Sequence, residues 1–332
     1  MIMKNRIPCF CHPTRKILLD DDKEFSQSVA LKMHGKNFTA YHSVNEMLDY
    51  FTTKYKPSYS NRDLTDLLVT HSECMATHSF NKKFDSSHNN TFYDDISILF
   101  IDYHMPEMCG LDFLEKISTL PFKKILMTGE HDYMIGINAF NNGLIDGYIR
   151  KYDANFLTHL SQMTDECEWN YFTDLSQPTF DLPAFDYLHN EHVINLFTQL
   201  LSKKNITHFH LIDKQGTFCM HTVTGEKEYF VLKTTQQLKQ LSELALDDGT
   251  PEKSANKIAK GAVIPFFNLK QHWEVPGNEW DRYLYSANRL SENAEYFWTN
   301  ITLNELVKKD NQQGQVTRQT SQTETLQKPS SI

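Results

Sequence analysis

The 332-residue chain has no long apolar run. Its longest, such as residues 96–101 and 262–267, fall far short of the roughly eighteen residues that a membrane span needs. A membrane protein is therefore not expected, nor a membrane partner. Residues 1–16 are basic in places but lack an apolar core followed by a small-residue cleavage site, so a secretory leader is not expected either. Cysteine is scarce and scattered, at positions 9, 11, 74, 109, 167 and 219. That spacing builds no disulfide framework and fits a reducing, cytoplasmic compartment. Positive charge is also short, with 33 basic against 42 acidic residues and a net charge of −9. A broad electrostatic grip on nucleic acid is not favoured. Residues from about 181 onward show no nucleophile elbow, P-loop, zinc signature or convincing helix-turn-helix, and the chain shows no internal repeat.

What is present is an alternation. Short apolar stretches at 16–19, 96–101, 124–127 and 147–149 each end in a polar residue. Amphipathic stretches follow, such as Phe25, Val29 and Met33, then Leu111, Leu114, Ile117 and Leu120. Strands alternating with helices predict a parallel sheet covered on both faces. Ligands of such sheets sit at the carboxyl ends of the strands. Those ends carry Asp20, Asp21 and Asp22, then Asp102, then Thr128, then Lys151. Carboxylates brought that close need a cation, and magnesium, a hard ion with oxygen ligands, is the natural one. A carboxylate there could attack a phosphoryl group in line, with metal and Lys151 offsetting the oxygen charge and Thr128 donating a hydrogen bond.

Four segments sharpen this reading. They are Leu18-Leu19-Asp20-Asp21-Asp22, then Phe100-Ile101-Asp102-Tyr103-His104-Met105-Pro106-Glu107-Met108-Cys109-Gly110-Leu111, then Leu126-Met127-Thr128-Gly129, and Gly147-Tyr148-Ile149-Arg150-Lys151. In this order, over residues 15–160, the chain resembles the receiver domain of bacterial two-component response regulators. The resemblance implies an α/β, doubly wound, flavodoxin-like fold with a five-stranded parallel sheet in the order 2-1-3-4-5. It makes Asp102 the phosphoacceptor, Thr128 the switch hydroxyl, Lys151 the phosphate-binding lysine and Tyr148 the switch aromatic. Mg2+ is implied on Asp20, Asp21, Asp102 and the backbone carbonyl of His104, with Asp21 the direct acidic ligand. The implied partner is a histidine kinase or phosphotransfer protein, and phosphorylation is expected to favour a homodimer. No enzymatic activity is expected beyond the receiver's own phosphoryl transfer and dephosphorylation. The whole chain also resembles the response regulator of α-hydroxyketone quorum-sensing systems, a receiver joined to an unusual output domain.

Two departures from the receiver pattern stand out. Tyr152 follows Lys151 where the family usually has proline. Asp21 and Asp102 are 102 − 21 = 81 residues apart, about twice the family's usual spacing, which predicts a polar insertion near 54–95.

The expected organisation is an N-terminal tail at 1–15, a receiver at 16–160, an acidic helical linker at 161–180, a smaller α+β output domain at 181–310 and a disordered tail at 311–332. In the output domain, helices are read at 188–203, 235–246 and 252–260. Strands are read at 207–213, 217–223, 228–233, 262–267, 282–288 and 295–303. That order predicts an antiparallel sheet with helices to one side. Trp273, Trp280, Phe266, Phe267, Tyr283 and Tyr285 read as core. Cys9, Cys11 and His12 lack a complete metal-ligand set and read as part of a reduced tail. His71, His78 and His88 read as solvated loop residues. His208 and His210 flank Phe209 and read as a polar strand face. The alternatives for the output are a ligand-sensing or protein-interaction module, with the receiver as phosphate sink, or a nucleic-acid-binding regulator.

Overall fold

The computed structural model describes residues 5–57, 94–129, 133–267, 274–291, 295–306 and 308–309. Most of the expected insertion, with Cys74 and the histidines at 71, 78 and 88, lies outside the described residues, as do Trp273 and the tail 311–332. The described residues form two compact units, dividing between Leu182 and Pro183.

The first unit is an α/β layer structure. Its strands are β1 (Arg15–Leu19), β2 (Phe38–Tyr41), β3 (Ile96–Asp102), β4 (Lys123–Thr128) and β5 (Gly147–Arg150). All pair in parallel, in the spatial order β2-β1-β3-β4-β5. The helices are α1 (Lys23–Lys32), α2 (Val44–Asp49), α3 (Gly110–Lys116), α4 (Tyr133–Asn141) and α5 (Phe156–Leu175). Side chains alternate across a strand, so covering both faces demands continuous apolar runs. Every residue of β3 is buried. Leu18, Ile98, Phe100, Ile125 and Met127 pack with Val29 of α1 and with Phe156 and Leu160 of α5. This is the flavodoxin-like receiver fold.

Residues 7–14, expected as part of an N-terminal tail, are packed onto the far end of α5 in this unit. The Cys9 amide donates to Ser176 Oγ at 2.9 Å, and Cys9 Sγ lies 3.1 Å from Thr179 Oγ1. Phe10 meets the Phe172 ring edge-on at 5.3 Å. Ile7, Cys9 and Phe10 are fully buried, and burial pushes the Cys9 thiol up to about 11. The partners lie more than 160 residues away in sequence, so no local pattern announces them.

The second unit starts with a 3-10 segment at Pro183–His189 and α6 (Glu191–Lys203), capped by Asn190, whose Oδ1 accepts from the His192 and Val193 amides. Then come β6 (Ile206–Leu211), β7 (Thr217–Thr222), β8 (Lys227–Thr234), α7 (Thr235–Asp247), α8 (Glu252–Ala259), β9 (Val263–Pro265), β10 (Leu284–Ser286), β11 (Asn288–Arg289) and β12 (Tyr296–Thr302). Within the unit, β6-β7-β8-β12-β11 form an antiparallel sheet, and β9 pairs with β10.

The sheet carries helices on both faces, where the sequence reading placed them to one side. On one face Phe197 of α6 packs against Phe209, Phe218 and Phe230, at 5.0, 4.7 and 5.5 Å between ring centroids. On the other, Cys219, Tyr229, Val231 and Ile301 join a core with Leu238 and Ala245 of α7, Ile258 of α8, and Trp280. The reason is the alternation itself: β7 is buried at all six positions, so neither of its faces can be left to water.

Candidate functional site

The carboxyl ends of β1, β3, β4 and β5 bring together Asp20, Asp102, Thr128 and Lys151. Each strand's last residues are fixed by parallel pairing: Leu19 stands opposite Ile101, Asp102 opposite Met127, and Thr128 opposite Arg150. The Lys151 amide donates to the Thr128 carbonyl at 3.0 Å, which extends the β4–β5 pairing by one residue and sets the lysine at the sheet's end.

Lys151 Nζ bridges two carboxylates, 2.8 Å from Asp20 Oδ2 and 2.8 Å from Asp102 Oδ1. It also lies 5.1 Å from the centroid of the Phe25 ring, a cation–π contact from α1. Asp20 is fully buried and Asp102 nearly so. Burial pushes both carboxyls above the ordinary carboxylate range, while Lys151 pulls against it. For Lys151, burial works to lower the pKa, but the hydrogen bonds to Asp102 and Asp20 outweigh it and raise the value. Two buried carboxylates and one ammonium leave net negative charge here, with Asp21 adding to it.

The three neighbouring acids divide their work. Asp22 caps α1, its Oδ1 accepting from the Phe25 amide at 2.9 Å. Its own amide donates to Asp20 Oδ1 at 3.0 Å and so holds that carboxylate in place. Asp21 is exposed, and carboxylate oxygens of Asp20, Asp21 and Asp102 come within 4.8 Å of one another. An all-oxygen donor set with one member open to water suits a hard cation that keeps some of its waters.

Thr128 Oγ1 is buried and has no hydrogen-bond partner among the described residues. A buried hydroxyl without a partner is costly, and here it stands at the strand end beside the carboxylates. Tyr148, on β5, is half-buried. Gly136 of α4 makes room for it, since a Cβ there would lie 2.9 Å from the ring's Cγ. The His104 side chain is exposed and meets the Tyr103 ring at 4.5 Å, while the role the resemblance implied uses its backbone carbonyl. Sequence reasoning placed Phe25 on an amphipathic stretch and not at this site, and gave no role to Gly110 or Gly136. Gly110 lies within the quoted segment, but its close approach to Asp102 becomes visible only in three dimensions.

A parallel sheet in the order 2-1-3-4-5, with buried acids, a threonine and a lysine at its strand ends, gives the first unit the receiver fold of response regulators. The fold, with the likeness that follows, supports a two-component response regulator, a signalling protein. Among solved structures the chain is similar to that of the Legionella pneumophila response regulator LqsR, with 28% identity, 89% of each chain covered and a TM-score of 0.73. A response regulator receiver domain protein from Clostridium thermocellum aligns with 47% of this chain and 94% of its own, at 19% identity and a TM-score of 0.29. No family model matches the chain, and no curated protein matches it by sequence. No helix among the described residues is long and apolar enough to cross a membrane.

Proposed function

We propose that this chain accepts a phosphoryl group on Asp102 from a histidine kinase or phosphotransfer protein, and that the change of state controls residues 181–310 as an output domain. The observation that carries this is the Lys151 ammonium shared by two buried carboxylates beside the unpartnered Thr128 hydroxyl. An Asp102 oxygen attacks phosphorus as the bond to the donor's nitrogen breaks, and the donor's imidazole leaves. Lys151 then exchanges a carboxylate oxygen for a phosphoryl oxygen, and Thr128 donates to another. Those contacts exist in one state only, so they can shift the equilibrium between states.

Asp20, Asp21, Asp102 and the His104 carbonyl would hold Mg2+. When bound, the ion supplies positive charge against the transferring oxygens. The whole-chain resemblance to α-hydroxyketone quorum-sensing response regulators, beside the likeness to the response regulator LqsR over 89% of both chains, supports a place in quorum-sensing signalling. The net charge of −9 supports an output that works through a protein or ligand more than through nucleic acid.

The test is intact-mass analysis after incubation with acetyl phosphate and Mg2+. One phosphoryl group per chain is expected, lost when a chelator replaces Mg2+. Full transfer in excess chelator would contradict the metal role of Asp21.

A further inference from the structure

Two histidines on β6 and a cysteine and a histidine on β7 form a block on one face of the second sheet. His208 stands opposite His221, and His210 opposite Cys219. Residues two apart on a strand share a face, and so do residues directly opposite, so all four side chains project to the same side. That is the face of the core containing Tyr229 and Ile301, which continue the His210–Cys219 row across β8 and β12. One ligand atom each from His210, Cys219 and His221 come within 4.8 Å of one another, and all three residues are buried. Cys219 Sγ and His221 Nε2 are 3.5 Å apart. Two tetrahedral ligands of zinc, one sulfur and one nitrogen, lie about 3.6 Å apart given usual bond lengths. The His208 ring stacks on His221 at 4.1 Å and 20° between planes, which fixes the imidazole's orientation.

We propose that His210, Cys219 and His221 form a binding site for a divalent transition-metal ion of the zinc class, positioned by His208. Thiolate and imidazole donors select borderline ions of this kind over Mg2+, which prefers the oxygens at the receiver's strand ends. Binding exchanges the Cys219 thiol proton for the metal and releases that proton to solvent. The ion would tie β6 to β7 inside the second unit, its remaining coordination position left to water or another ligand. Sequence spacing hid the site, because two short H-x-H and C-x-H patterns become one cluster only when the strands pair.

The experiment is titration of the chelator-stripped full chain with Co2+, in excess Mg2+ to occupy the acidic site. The absorbance of a thiolate-to-cobalt charge-transfer band is the readout. The band should saturate at one Co2+ per chain and disappear when Zn2+ is added. Cys219→Ser should abolish it, His210→Gln should weaken Co2+ binding at least about tenfold, and Cys167→Ser, in the first unit, should leave it unchanged. A wild-type chain that gives no band overturns the proposal without reference to any variant. So does a band that survives Cys219→Ser. Should Cys219→Ser fail to fold, His210→Gln decides, since undiminished affinity there also overturns the site.

Discussion

The backbone of Gly110 lies against the carbonyl of Asp102, so closely that a Cβ on Gly110 would sit 2.3 Å from that oxygen. The Gly110 amide also donates to the Tyr103 carbonyl at 2.9 Å, closing the loop between β3 and α3 over the strand end. Gly110→Ala therefore forces the loop away from the backbone that carries Asp102. We expect a loss of about 1–3 kcal/mol of stability and slower phosphoryl acceptance. Urea unfolding checks the first and a phosphorylation time course the second. Gly35→Ala, with nothing within 4 Å of its Cβ, is the control and should change neither.

A second ion pair, its lysine buried and its glutamate half-buried, lies in the same unit between β1 and α5. Lys16 is almost fully buried and pairs with Glu168, which also accepts from Thr14 Oγ1 at 2.6 Å. Removing one partner leaves the other charge buried and uncompensated, so Glu168→Leu should cost about 3–5 kcal/mol. The double variant Lys16→Met/Glu168→Leu should recover most of that. Denaturant midpoints of the two singles and the double decide it, and a double variant as unstable as the sum of the singles would rule out the pairing as the cause.

Lys233, on β8, gives a pH-dependent prediction for the second unit. Burial lowers its pKa below the ordinary 10.5, and Asp213 offsets this only in part. Between the lowered folded value and 10.5 the unfolded chain holds a proton that the folded chain has released. Stability therefore rises with pH across that window. Burial of this amine is a cost at pH 7, so Lys233→Met should raise stability there. That advantage should shrink as pH climbs toward 10.5. Thermal melts of both proteins across alkaline pH check the sign.

Lys151→Ala should still accept phosphate on Asp102 but lose its consequence. Moving a two-state equilibrium from 1:99 to 99:1 takes roughly 5.5 kcal/mol. One charge-assisted bond from Lys151 and one hydroxyl bond from Thr128 together supply about 2–4 kcal/mol. Phosphorylation should thus shift the wild type partly toward a dimer and leave Lys151→Ala unmoved. Sedimentation with and without phosphodonor separates the two, and a variant that responds as the wild type does would remove Lys151 from the switch.

Much of this was legible in the sequence, for physical reasons. β1, β3 and β4 are buried on both faces and read as apolar runs, whereas β2, half-buried at every position, was not read as a strand. The residues that end the inner strands are few and chemically distinct. Asp20, Asp102, Thr128 and Lys151 could be picked out before any fold was known. In the second unit β6, β7, β8 and β12 were read within a residue or two, because their alternation and turn residues are local signals. Residues 282–288 were read as one strand. Gly277–Tyr283 is instead a 3-10 segment that buries Trp280, and the strand starts only at Leu284. The packing of Cys9 on Ser176 and the joining of His210 to Cys219 and His221 depend on contacts between distant or paired segments. Periodicity carries no trace of either.

The central claim is that Asp102 carries the phosphoryl group. An aspartyl phosphate is an acyl phosphate, which borohydride reduces to homoserine, marking the residue in the chain. Borohydride trapping after incubation with acetyl phosphate and Mg2+, followed by peptide sequencing, locates the acceptor directly. The account predicts homoserine at position 102 in the wild type and at no position in Asp102→Asn. Homoserine at another aspartate of the wild type, or an undiminished yield from Asp102→Asn, would contradict it.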